Sequence, residues 1–80
     1  MREWLKAMRL ERNLCQADMA ERLSISSPYY CDIENGNRQP DMAYSMMEKL
    51  ASALGVPVHE VIEAENAYRA SRLANGKKVA

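Results

Sequence analysis

Hydrophobic side chains recur every three or four positions along nearly the whole chain, and no stretch alternates with the period of two that a strand needs. This spacing predicts five short helices in a compact all-α domain. Their expected positions are residues 2–12, 16–23, 26–36, 42–54, and 57 to about 73. In the third range, residue 26 is the cap and residue 36 the stop. The last six residues, NGKKVA, are expected to form a frayed tail.

Residues with special capping or backbone properties mark the ends of these helices. Asn13 tolerates the left-handed conformation that closes the first helix, and Gly36 does the same for the third. Ser26 is a suitable N-cap for the third helix, whose first turn tolerates Pro28 because an N–H there would be unpaired anyway. Asp41 is expected to cap the fourth helix.

The apolar stripes of these helices predict the core. The residues expected to point inward include Trp4, Leu5 and Met8 in the first helix, Met42, Met46, Leu50 and Leu54 in the fourth, and Val58, Val61 and Ile62 in the fifth.

The second and third helices are joined by only three residues, the segment SIS at 24–26. So short a link forces a steep crossing, which is the geometry of a helix-turn-helix. Tyr30 and Ile33 then point to the core. The side chains left on the outer face are Ser27, Pro28, Cys31 and Asp32. A helix exposed in this way fits the ~12 Å major groove of DNA.

Composition adds limits to this picture. Eighty residues make one small domain, and 48% hydrophobic with 28% charged residues is an ordinary globular balance. The formal net charge is zero, so any DNA-binding role must depend on local features. No apolar run is long enough to span a membrane and the charged N-terminus is no signal peptide, so a cytoplasmic protein is expected, with Cys15 and Cys31 as reduced thiols.

No set of side chains indicates catalysis. The single histidine, His59, stands beside a helix start, where a surface position is expected. Glu60, Glu63 and Glu65 look like a solvated acidic run and not a paired carboxylate site. Nucleophile–base pairs and metal-ligand spacings are missing from the sequence. The expectation is therefore a protein that is not an enzyme and needs no metal, cofactor or small-molecule substrate.

The segment LCQADMAERLSISSPYYCDIENGNRQP, followed by KLASALGV, resembles the XRE-type, lambda-repressor-like helix-turn-helix family of bacterial and phage regulators. The likeness covers roughly residues 3–63, so we expect a helix-turn-helix domain at 1–63 and a C-terminal helical extension and tail at 64–80. It implies a five-helix DNA-binding domain whose second and third helices form the motif. Ser24 replaces the glycine usual in the turn, and the stretch before the fourth helix is about two residues longer than usual, so that helix is expected to start at a shifted position.

The resemblance also assigns residue roles. Arg9 and Glu34 match a structural ion pair between the first and third helices. The positions through which relatives contact base edges are Ser26, Ser27, Pro28 and Asp32. Pro28 could contact a thymine methyl group, and Asp32 could accept a hydrogen bond from a cytosine amino group.

Four other positions match or could supply phosphate contacts. They are Gln16, Tyr29, Asn35 and Arg38. Gln16 starts the second helix, where free N–H groups favour an anion. Asn35 could equally be a helix terminator, and Tyr29 could use its hydroxyl on the backbone of DNA or merely pack beside Tyr30.

The predicted function is a sequence-specific DNA-binding transcriptional regulator, a repressor acting as a dimer on palindromic double-stranded DNA. Residues 1–40 contain six basic and six acidic side chains, so a single copy would bind DNA weakly and pairing would compensate. The dimer surface could come from the fifth helix and its extension, or from Trp4 and Leu10. The alternative is a protein-interaction module that has this fold and does not bind DNA.

Overall fold

The computed structural model describes the backbone of residues 1–79 and the side chains of residues 1–72. It contains helices and turns and no strand within that backbone. The five helices are α1 (Glu3–Glu11), α2 (Gln16–Leu23), α3 (Ser27–Asn35), α4 (Tyr44–Leu54) and α5 (Val58–Val79). The predicted all-α, five-helix architecture is confirmed.

Helices α1 to α4 all end in the same way. A residue with positive φ follows each helix, and the residues in these four places are Asn13, Ser24, Gly36 and Gly55. The next N–H then donates back to a carbonyl five residues earlier, as from Ile25 to Ala20 at 3.0 Å. This pattern satisfies carbonyl groups that a helix end would otherwise leave unpaired. Ser24 has φ 58° and ψ 42°, so the turn keeps the angles that favour glycine.

The predicted N-cap of α3 is confirmed, whereas the predicted N-cap of α4 is wrong. The Ser26 hydroxyl accepts a hydrogen bond from the Tyr29 N–H at 3.2 Å, as predicted. The N-cap of α4, however, is Ala43, and the helix begins at Tyr44. Asp41 does not cap it, because its carboxylate lies 3.1 Å from the Arg69 guanidinium of α5. The shifted start of α4 agrees with the expectation from the longer connection.

The core lies where α2 packs on α3 and α4, with α5 packed on α4 and α1. Leu5, Met19, Tyr30, Ile33, Leu50 and Val61 have no exposed surface. The predicted apolar stripe is buried at Met42, Leu50 and Leu54, and Met46 is half-buried and packs against the core, whereas the buried Met47 was not predicted. Met47 lies three residues before Leu50 and seven before Leu54, so it falls on the same face of α4.

Helix α5 is longer than predicted. The sequence pattern ended it near residue 73, but the helix continues to Val79. No proline follows Pro57 in the sequence that would interrupt the helix. The predicted boundary between residues 63 and 64 falls inside this helix and stays a prediction. No helix of the part that the structure describes is long and apolar enough to cross a membrane.

Candidate nucleic-acid interface

Helix α3 has one buried face and one open face. Tyr30, Ile33 and Glu34 are completely buried. The opposite face carries the side chains Ser27, Pro28 and Asn35, which are exposed, and Cys31 and Asp32, which are half-exposed. Only Arg38, from the loop after α3, lies against this outer face, beside Asp32, and Ser27, Pro28 and Asn35 stay exposed in the part of the chain that the structure describes. The base-edge residues of the sequence prediction therefore lie together on an accessible surface, with Ser26 exposed at its start.

A buried ion pair holds α3 from behind. The Arg9 guanidinium donates from Nε to Glu34 Oε2 at 2.9 Å and from Nη2 to Glu34 Oε1 at 3.1 Å. The Tyr30 hydroxyl donates to the same carboxylate at 2.8 Å. These contacts link α1 to α3 at the position that the resemblance implied.

The protonation states of this cluster follow from its geometry. Burial alone would raise the pKa of Glu34, but the hydrogen bonds from Arg9, Tyr30 and Gln16 outweigh it and hold the pKa below its ordinary value. The hydrogen bond to Glu34 raises the pKa of Arg9 despite burial. Burial also raises the pKa of Tyr30, so its hydroxyl remains a donor. Glu34 is therefore a charged acceptor with three donors around it.

Gln16 is the first residue of α2, and its side-chain amide contacts both the buried Glu34 and the protein surface. Its Nε2 donates to Glu34 Oε1 at 3.3 Å, and the side chain is half-exposed. A side-chain amide has two N–H donors, so one remains for another partner. At the same helix end, the Asp18 carboxylate accepts from the Cys15 N–H at 3.0 Å, and this hydrogen bond lowers the pKa of Asp18. One anion-binding N–H of this end is thus already in use.

The loop after α3 folds back over the helix. The Arg38 guanidinium lies 3.7 Å from the Asp32 carboxylate and 5.5 Å from the centroid of the Tyr29 ring, yet 58% of its side chain is exposed. Gln39 donates from Nε2 to the Tyr29 hydroxyl at 3.1 Å. Tyr29 therefore does more than pack beside Tyr30, because its ring and its hydroxyl both contact the loop.

Asn35 occupies the last turn of α3. Its side chain is exposed, and Nδ2 lies 3.5 Å from the Cys31 sulfur. The N–H groups of Asn37 and Arg38 both donate to the carbonyl of Asp32, at 2.8 and 3.3 Å. The predicted phosphate residues thus lie at two places around α3. Gln16 is at the start of α2, whereas Asn35 ends α3 and Arg38 lies in the loop, where it contacts the side chain of Tyr29 from the first turn of α3.

A second buried ion pair was missed from the sequence. Arg2 and Glu65 are both fully buried, and Arg2 Nε donates to Glu65 Oε1 at 2.9 Å. The prediction that Glu65 belongs to a solvated run is wrong, although Glu60 and Glu63 are exposed as expected. A signal did exist: Glu65 falls three and four residues after Ile62 and Val61, on the apolar stripe of α5.

Burial of these two arginines changes the charge available to a polyanion. Of the six basic side chains in residues 1–40, Arg2 and Arg9 are buried in ion pairs, which leaves four. The remaining cations are Lys6, Arg12, Arg22 and Arg38.

Both cysteines are free thiols and His59 is exposed. The described residues contain no group of three side chains placed to hold a metal ion.

Comparison with known proteins points to one family. A family model described as a helix-turn-helix domain matches residues 3–73. The chain is 42% identical over 55 residues to the uncharacterized HTH-type transcriptional regulator YqaF of Bacillus subtilis, an alignment that covers 69% of this chain and 70% of the relative. It is 36% identical over 66 residues to the HTH-type transcriptional regulator DdrOP3 of Deinococcus deserti, covering 82% of this chain and 50% of that protein.

A third relative is the immunity repressor protein of Bacillus phage phi105, with 38% identity over 61 residues, or 76% of this chain and 41% of the relative. The chain thus spans half or less of the length of two of these three relatives. No solved structure matches it significantly. The family match over nearly the whole chain, together with the exposed α3 and the buried Arg9–Glu34 pair, leads to one conclusion. This chain belongs to the helix-turn-helix family of transcriptional regulators, of the XRE type that its sequence resembles.

Proposed function

We propose that this chain is a sequence-specific transcriptional repressor that binds a palindromic DNA operator as a homodimer. The observation that carries the proposal is the open outer face of α3, which lies opposite the buried side chains of Tyr30, Ile33 and Glu34. A short helix supported from behind with a free front edge has the form that enters a major groove. The phage relative named an immunity repressor supports repression over activation.

The front edge would contact bases through small and acidic groups. Ser26, Ser27 and Pro28 lie at the start of α3, where recognition helices contact base edges. Asp32, one turn further, would accept from a cytosine amino group. The Arg38 guanidinium, 3.7 Å from that carboxylate, would offset its repulsion of nearby phosphates.

Phosphate contacts would flank α3 on both sides. Gln16 would use its second amide N–H at the positive end of α2. The other contact would form at the end of α3 and in the loop after it, from Asn35, Arg38 and the side chain of Tyr29. The Arg38 side chain is 58% exposed there. These contacts would fix the orientation of the protein on DNA, and Arg38, the cation among them, would contribute to its salt-dependent affinity.

Pairing of two copies would compensate for the small positive charge of each. Two recognition helices about 34 Å apart would reach successive major grooves on one side of the duplex. The candidate dimer surfaces are the outer side of α5 and the region of Trp4 and Leu10, of which Leu10 is 54% exposed. Sedimentation of the full chain carrying Leu10→Glu or Ala67→Glu tests both, since Ala67 is an exposed residue of α5. Truncation before Glu65 is unsuitable, because it would leave Arg2 buried without its carboxylate.

Selection of bound sequences from a random duplex pool tests DNA recognition directly. We expect two inverted half-sites whose centres are about 10 base pairs apart. Asp32→Asn should change the selected base at one position of each half-site and leave the slope of log affinity against log salt unchanged. Arg38→Ala should weaken binding to all sequences and lower that slope by about 0.9, and Arg38→Lys should restore the slope. Glu63→Ala, at an exposed site on α5, is the folding control.

The alternative is a protein-interaction module with the same fold. Zero net charge and the burial of Arg2 and Arg9 favour it. The same titration separates the two functions: a salt slope of several counter-ions supports the repressor, whereas no binding to any duplex at about 50 mM salt supports the module.

A further inference from the structure

Arg2 makes more contacts than an ion pair requires. Its side chain is fully buried, and Nε and Nη2 donate to the two carboxylate oxygens of Glu65 at 2.9 and 3.1 Å. The Trp4 indole N–H donates to the same carboxylate at 3.3 Å, and the Tyr68 ring centroid lies 5.2 Å from the guanidinium carbon. Glu65 therefore fixes the orientation of the guanidinium plane from α5.

The other N–H groups of Arg2 bind backbone carbonyls at the end of α3 and in the loop behind it. Nη1 donates to Ile33 O at 2.6 Å and to Arg38 O at 3.0 Å, and Nη2 also donates to Gln39 O. With the two contacts to Glu65, all five N–H bonds of the guanidinium have an acceptor. Arg2 thus connects α5 to the loop that follows the recognition helix.

That loop has a conformation that needs support. Gln39 has φ 55°, in the left-handed region that a residue with a side chain rarely adopts. Arg2 binds the carbonyl of Gln39 and the carbonyl of the residue before it. The side chains of these same two residues, Arg38 and Gln39, contact Asp32 and Tyr29 on α3. The backbone that Arg2 fixes is therefore the backbone that places Arg38 beside the outer face of α3.

We infer that Arg2 is a positioning residue for DNA binding, held by Glu65, which sets the loop of residues 37–39 so that Arg38 can contact phosphate. The inference rests on the proposed function. It makes α5, through Glu65, part of the DNA-binding machinery although neither Arg2 nor Glu65 can touch DNA. A purely structural pair would affect the fraction of folded protein and nothing else.

The test compares Arg2→Lys, Arg38→Ala and the double variant in the full chain. Lysine keeps the charge facing Glu65, but a single ammonium group cannot reach all of the carbonyls that the guanidinium binds. Affinity for the selected operator and for an unrelated duplex is measured over a salt series, at a temperature where circular dichroism shows each variant folded. A second variant, Arg2→Met/Glu65→Leu, replaces the buried charges with apolar groups, a change that often preserves the fold, and it also removes the loop contacts.

We expect Arg2→Lys to weaken binding to both duplexes on the order of tenfold and to lower the salt slope by about 0.9, as Arg38→Ala does. The double variant with Arg38→Ala should lose little more, because both changes remove the same phosphate contact. Arg2→Met/Glu65→Leu should show the same loss of slope. An unchanged slope in folded Arg2 variants, or effects of Arg2→Lys and Arg38→Ala that add in full, would overturn the inference. Failure of the proposed function is distinct, since the unmodified chain would then bind neither duplex.

Discussion

The two buried arginine–glutamate pairs of this domain are built in opposite ways. In the Arg9–Glu34 pair the carboxylate is the centre, because it accepts from Arg9, Tyr30 and Gln16. In the Arg2–Glu65 pair the guanidinium is the centre, because it also binds three backbone carbonyls. The first pair joins α1 to α3, the recognition helix, whereas the second joins the start of the chain to α5 and to the loop after α3. The two pairs therefore differ in which partner makes the additional hydrogen bonds, the carboxylate in the first pair and the guanidinium in the second.

The largest effect is expected from Glu34→Ala. Removal of this carboxylate leaves the Arg9 guanidinium buried with Leu14 O as its remaining acceptor, and it also removes the acceptor of the Tyr30 hydroxyl. Loss of one partner of a buried pair costs about 3–5 kcal/mol of unfolding free energy, and we expect a value in that range from urea denaturation. Glu63→Ala, on an exposed part of α5, should change stability by less than about 0.5 kcal/mol. An unchanged transition midpoint for Glu34→Ala would refute the structural role of this pair.

Glu65→Ala should cost less, about 3 kcal/mol, at the lower end of the same range. Arg2 would keep its hydrogen bonds to Ile33 O, Arg38 O and Gln39 O, so its charge would remain partly solvated by backbone groups. Denaturation of both alanine variants in one buffer measures the difference. If Glu65→Ala were the more damaging of the two, the contrast between a carboxylate-centred and a guanidinium-centred pair would be wrong.

The two pairs also show what the sequence can and cannot predict. The helix count, the stops at Asn13 and Gly36 and the open face of α3 follow from local spacing and end chemistry, which are written within about ten residues. The pair of Arg2 and Glu65 spans 63 positions. Its only local signal is an acid on an apolar stripe, and the partner of that acid is decided by how α5 packs against α1.

The prediction that Asp41 caps α4 was wrong for a similar reason. Asp41 is a good capping residue by type, but its carboxylate lies beside Arg69, 28 positions away in the sequence, and the helix starts after Ala43. Contacts between distant residues override local preference where a side chain has two possible partners. The same holds for Tyr29, whose contact with Gln39 depends on the path of the loop.

Protonation of Glu34 at low pH should lower the free energy of unfolding by a smaller amount than Glu34→Ala does. The hydrogen bonds from Arg9, Tyr30 and Gln16 offset the effect of burial and hold the pKa of Glu34 below its ordinary value of 4.5. A group whose pKa is lower in the folded state contributes its full stability above the unfolded pKa and loses it as pH falls through the folded pKa. We therefore expect the free energy of unfolding to fall as the pH drops below the ordinary pKa of 4.5, and to fall less steeply in Glu34→Gln, which has no charge to lose there. Asp18, whose pKa is also lowered, contributes equally to both proteins. Parallel curves would mean that Glu34 titrates alike in the folded and unfolded states.

The smallest effect is expected at the turn between α2 and α3, in Ser24→Gly. Ser24 has φ 58°, which costs a residue with a side chain ~1–2 kcal/mol, and glycine avoids this strain but loses ~0.5–1 kcal/mol more backbone entropy on folding. The net expectation is a gain of about 0.5 kcal/mol. Ser52→Gly, at an exposed position inside α4, should instead lose about 0.5 kcal/mol, so the pair of variants separates a turn effect from a general effect of glycine. Combined with Glu34→Ala and with Glu65→Ala, the gain should be the same if the turn is independent of both ion pairs. A gain that disappears only with Glu34→Ala would show that the carboxylate-centred pair, and not the turn itself, holds α3 at its angle to α2.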